Sequence, residues 1–200
     1  MTITNVLSVL TPAILATVVL LSVLYRRIYR VGDRSAEQVL PSLWPLEAMG
    51  VKELFSPAAE RHLRATLTDD GFRRAQQHRM VLALEYVRRI SHNALVLQQW
   101  AAYETSNAET AGDSQRRHLS MDLIAVSVSC RIYCSLIALR LHCWLSATSL
   151  LPFQDLPSFE GLIRFGHADL SARYAELRRS AGKFSRFHDR MDRKQLVQSL

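Results

Sequence analysis

Three sets of side chains in this 200-residue chain have types and spacings that invite chemistry. His78, Glu85 and His92 recur every seven residues and share one helix face, which first suggests metal ligands. Successive members would stand about 10 Å apart along the axis, whereas donors to one ion converge within about 2 Å of it, so the trio reads as a solvated face. His118 with Asp122, and Cys130 with Cys134, stand four apart, and each pair offers two ligands from adjacent turns. The pairs are separated by about 18 Å on one helix, and no ExxH, HExxH or CxxC supplies further donors. An exposed His-Asp pair and small core cysteines are the expectation, with no metal and no cofactor.

The third set is Arg131, Arg140 and His142, inside an otherwise apolar stretch. An unpaired buried charge is costly, so these groups need a carboxylate, a carbonyl or a partner subunit. They mark the place where a polar site between helices would assemble. No glycine-rich loop follows a strand, and no GxSxG elbow occurs, so neither a common nucleotide site nor a serine nucleophile is indicated. Cys130, Cys134 and Cys143 are confined to one apolar run and do not resemble a disulfide framework; they read as reduced, cytoplasm-facing thiols.

The elements that would position these groups begin with an anchor. Val6 to Tyr25 holds about 20 residues without a charge, long enough to cross about 30 Å of hydrocarbon as one helix. Met1 to Leu10 has no Lys or Arg, and the run ends in Tyr25, Arg26, Arg27, which favours a retained anchor over a cleaved signal peptide. Arg26, Arg27, Arg30 and Arg34 form a basic collar that would contact anionic headgroups. By the positive-inside rule they put the N-terminus outside and the body of the protein in the cytoplasm, a single-pass arrangement in the plasma or inner membrane. Leu123 to Leu141 is apolar enough for a second span. Against it, Arg131 would sit near the bilayer centre, Arg140 is half a turn out of phase, and the arginine-rich tail would be exported. This stretch reads as a buried helix.

The rest of the chain reads as an all-α bundle. Residues 1–30 form the anchor and collar, 31–55 a juxtamembrane linker broken by Pro41 and Pro45 and packed on membrane or bundle, and 56–200 the bundle domain. Ser56 and Pro57 open a short helix that ends near Leu67, and Asp69 with Asp70 favours a second start. Met80, Ala83, Val87, Ile90, Ala94, Leu97 and Ala101 alternate three-four spacing and lay one apolar seam along a long helix. After a turn in ETSNAETAGDS, a third helix repeats the pattern at Leu119, Leu123, Val126, Cys130, Tyr133, Ile137 and Trp144 and is apolar on its remaining surface too. The two predict an antiparallel hairpin of helices each about 50 Å long. A last helix opening near Ser158 presents Ile163, Leu170, Tyr174, Leu177, Ala181 and Phe184 to it.

The net charge of +7 and pI near 9.8 admit nucleic acid or anionic lipid as partners. The tail from Arg173 to Lys194 mixes arginines with Tyr174, Phe184 and Phe187, but it reads foremost as an amphipathic helix, and nucleic acid is disfavoured. The expected partners are the lipid bilayer and a membrane protein or a second copy. The expected role is a non-catalytic scaffold, adaptor or accessory subunit of a membrane complex; the alternative is a membrane-tethered enzyme or ligand-binding bundle built around Arg131, Arg140 and His142.

Overall fold

The computed structural model describes residues 34–46, 56–150, 167–187, 196, 199 and 200. The expected anchor at Val6 to Tyr25, collar residues Arg26, Arg27 and Arg30, the helix start near Ser158 and Ile163 lie outside the described residues. Asp33–Leu200 forms one compact unit and Met1–Gly32 another.

Among the described residues the protein is helical, with no strands. A 3-10 turn at Ala36–Gln38 runs into the single turn α1 (Val39–Ser42), followed by α2 (Pro57–Thr66), α3 (Asp69–Ala111), α4 (Ser114–Leu150) and α5 (His167–Phe184), which passes into a 3-10 turn at Ser185–Phe187. The helix starts are where local chemistry puts them. Ser56 Oγ accepts from the Ala59 amide at 3.4 Å ahead of Pro57, and Thr68 Oγ1 accepts from the Gly71 amide at 3.4 Å with Asp69 and Asp70 in the first turn.

α3 runs for 43 residues, about 65 Å, longer than the pattern predicts. The polar run expected as a turn stays helical to Ala111. Its hydroxyls find acceptors inside the helix, Thr105 on the Ala101 carbonyl at 2.8 Å and Thr110 on the Ser106 carbonyl at 3.1 Å. The reversal occupies only Gly112 and Asp113. Gly112 takes φ 71, which a side chain would resist, and the Asp113 amide closes back on the Ala108 carbonyl at 3.1 Å. The Asp113 carboxylate then accepts from the Arg116 amide at 3.0 Å and caps α4.

α3 and α4 pack along their lengths. The buried line of α3 is Gln76, Met80, Ala83, Val87, Ile90, Ala94, Leu97, Ala101, Glu104 and Ala108, an unbroken alternation of threes and fours that contains every residue of the expected seam. On α4 the buried line is Ser120, Leu123, Ser127, Cys130, Cys134, Leu141 and Trp144. Leu119, Val126 and Tyr133, expected at its centre, are half-buried beside it, because a helix apolar on every side carries little phase information. α5 adds Leu170, Tyr174, Leu177, Ala181 and Phe184 to the main core, where the Phe184 ring meets the fully buried Trp100 edge-on at 4.6 Å. Met80, Ala83, Leu141 and Trp144 form a second cluster. Val39 and Leu43 reach the main core, so the described part of the linker is packed on the bundle.

Within α4, Ser114–Ser146 is long and apolar enough to cross a membrane, and only 28% of its most apolar stretch is buried. The expectation of a buried helix therefore holds for one face of α4 and fails for the other.

Candidate functional site

Polar side chains join α3 to α4 at two levels. Arg131, buried on α4, donates from Nη1 to Gln98 Oε1 of α3 at 2.5 Å, which gives this charge a neutral acceptor where the sequence left it without a named partner. Near the turn, buried Glu104 of α3 pairs with Arg116 of α4. At the other end of α3, Arg79 Nη1 donates to Gln76 Oε1 at 3.2 Å and Nη2 to the Ser56 carbonyl at 3.3 Å, tying the start of α2 to α3. Burial lowers the Arg79 pKa from its ordinary value, with Glu60 opposing that shift.

Arg140 and His142 are exposed, so the structure does not bring them together with Arg131 as one polar site. The half-turn phase difference between Arg131 and Arg140 is the physical reason: the two side chains leave opposite faces of the same helix. Of the collar, Arg34 alone is described, and it is half-buried. His118 Nδ1 and Asp122 Oδ2 stand 3.4 Å apart on the surface, while Cys130 and Cys134 are core residues and Cys143 is exposed. A hydrogen bond with Cys130 and burial together push the Cys134 thiol far above its ordinary range, which leaves it no thiolate for nucleophilic work. No group of three or more His, Cys, Asp or Glu that could hold a metal ion occurs among the described residues.

His92 departs from the solvated-face reading. Its ring stacks on Trp44 with centroids 4.0 Å apart and interplanar angle 15°, and Nε2 lies 2.9 Å from the Ser42 carbonyl. Beside it, fully buried Asn93 brackets the Trp44 peptide units: Oδ1 accepts from the Trp44 amide at 2.8 Å and Nδ2 donates to the Trp44 carbonyl at 2.9 Å. Nδ2 also reaches the Tyr174 hydroxyl at 3.4 Å, and that hydroxyl donates to the Leu200 carbonyl. One side chain thus joins α3, α5 and the segment before α2. Burial raises the Tyr174 pKa above its ordinary value, with the Asn93 hydrogen bond opposing. Sequence reasoning missed this hub. Its signal was an asparagine at the position before seam residue Ala94, which is ambiguous without knowing that Trp44 folds back on it.

The outward side of α4 is the second unpredicted feature. Met121, Ile132, Leu136 and Leu139 are 53, 42, 51 and 46% exposed. With Ala125 and Val128 they fall within about 80° of arc, a stripe about 27 Å long from Met121 to Leu139 that carries no charge. Tyr133 lies on its flank under the Arg173 guanidinium at 5.3 Å, where α5 begins to cover the helix. No protein-family model matches this chain, and neither a curated protein nor a solved structure does.

Proposed function

We propose that this chain is a non-catalytic, membrane-anchored helical scaffold, an adaptor or accessory subunit of a membrane complex that engages its partner through the outer face of α4. In this reading Val6 to Tyr25 spans the membrane with the N-terminus outside, and Arg26, Arg27, Arg30 and Arg34 lie at the headgroups. The bundle is cytoplasmic, and α3 with α4 forms its antiparallel hairpin.

The observation that carries this reading is the stripe of four large apolar side chains, each more than 40% exposed, on a helix whose opposite face is packed into a core. Contiguous exposed apolar surface of this kind marks an interaction site in a folded protein. The enzyme or ligand-binding alternative has less support, since of the three residues it depends on Arg131 is buried while Arg140 and His142 are exposed. The test is affinity capture of the full chain in mild detergent beside the Ile132→Ser/Leu136→Ser variant. Defined membrane proteins, or a differently tagged second copy of the chain, that co-purify with the first and are lost with the second support the reading; identical profiles, or no partner of either kind, count against it.

A further inference from the structure

We propose that the occupant of the outer α4 face is a second copy of this chain, its α4 running antiparallel to the first about a two-fold axis near position 130. The proposal rests on the scaffold reading above and names its partner.

The spacing of the stripe is symmetric. Met121 and Leu139 are centred on position 130, as are Val128 and Ile132, while Ala125 and Leu136 are centred half a residue further on. A two-fold axis there sets Met121 against Leu139, Val128 against Ile132, and small Ala125 against large Leu136, so each layer is apolar and the Ala125 positions leave room for the partner copy's Leu136. The exposed charges have a centre one residue further on, an axial offset of about 1.5 Å. Asp122 and Arg140 are both exposed, lie on the same flank of α4, and are centred on position 131. A two-fold axis perpendicular to both helices keeps a flank on its own side while reversing the chain direction, which brings Asp122 of one copy level with Arg140 of the other. Two such pairs form, one at each end of the stripe.

Neither group is matched to the other within one chain, because Asp122 and Arg140 stand about 27 Å apart along the helix. A lipid surface fits less well. Between His118 and Arg140 the outer face offers no cation for anionic headgroups, and Asp122 borders the apolar stripe.

The experiment is light scattering and sedimentation of the full chain in mild detergent, for the native protein, Asp122→Arg, Arg140→Asp and the double reversal. These exposed positions are remote from the core, and circular dichroism confirms the fold of each variant. The native chain is expected to be dimeric. Each single reversal sets like charges together at both ends of the interface and weakens the dimer about tenfold, and the double reversal restores it to within about twofold. Exposed Cys143 adds an orientation check. In the antiparallel pair the two copies of Cys143 are about 37 Å apart, so mild oxidation leaves them unlinked. Single reversals without effect, a double variant no tighter than the singles, or ready Cys143 cross-linking would each overturn the proposal. A native chain that stays monomeric overturns it as well. In that case a heterologous membrane protein whose capture is lost in Ile132→Ser/Leu136→Ser leaves the scaffold reading standing, and the absence of any such protein removes both.

Discussion

The two faces of α4 are built from similar residues and have opposite fates. The inner face presents Leu123, Cys130, Cys134 and Leu141 to α3, where they are buried. The outer face presents Met121, Ile132, Leu136 and Leu139, which are not. Composition alone does not separate them. The inner face carries Arg131, bonded to Gln98 of α3, whereas the outer face between Asp122 and Arg140 carries no charged group. Once the inner face is buried, the bond to Gln98 offsets part of the cost of removing the Arg131 guanidinium from water.

The comparison is broken most severely at the core. Trp100→Ala leaves a void under Phe184 and is expected to lower unfolding stability by about 4 kcal/mol in chemical denaturation. Asn93→Ala comes next: it strands the Trp44 amide and carbonyl and part of the Tyr174 hydroxyl's bonding, for an expected loss of about 2 to 3 kcal/mol. The loss is accompanied by faster proteolysis at residues 34–46 while α3 and α4 stay protected.

A smaller effect is expected from alkaline pH. Because burial raises the Tyr174 pKa, the folded chain holds that proton more tightly than the unfolded chain does. The resulting stability is fully present below about pH 10, where an unfolded tyrosine also keeps its proton, and it falls by about 1.4 kcal/mol per pH unit above that. Tyr86, also raised by burial, adds to the same slope. In Tyr174→Phe the part due to Tyr174 disappears, so denaturation midpoints measured between pH 9 and 11 should decline less steeply than in the native chain. The smallest effect sharpens the comparison. Leu136→Ser on the outer face should change the stability of the isolated bundle by less than about 0.5 kcal/mol, whereas any assembly through that face is weakened.

What the sequence revealed divides along the same line. Features set by a few adjacent residues were legible: the cap at Ser56, the starts at Pro57 and Asp69, and the α3 seam, where charged residues on the far side define the phase. The α4 seam was displaced toward Ser120, Ser127 and Cys134 because no charged stripe marked its outside. The turn was drawn too long because Thr105, Ser106 and Thr110 look like loop residues, although their hydroxyls can bond within a helix and Glu104 is held by Arg116 from the next element. His92 read as solvated because Trp44, which covers it, lies 48 residues away in sequence. Arg131 was recognised as needing a partner, but a neutral glutamine at position 98 gives no charge pattern by which to find it.

The bracket that Asn93 places on Trp44 also decides how the bundle bears load. Tension arriving through Arg34 meets the bundle at the buried Val39 and Leu43 and then at Trp44, near the middle of α3 and not at a helix end. There the two amide hydrogen bonds and the stacked His92 ring take up the pull together. A helix gripped at its end unwinds one turn at a time, whereas one gripped at its middle must yield as a unit. The segment from Arg34 to Leu46 is thus a mechanical coupling, with Val39 and Leu43 loaded first and the Asn93 bonds behind them.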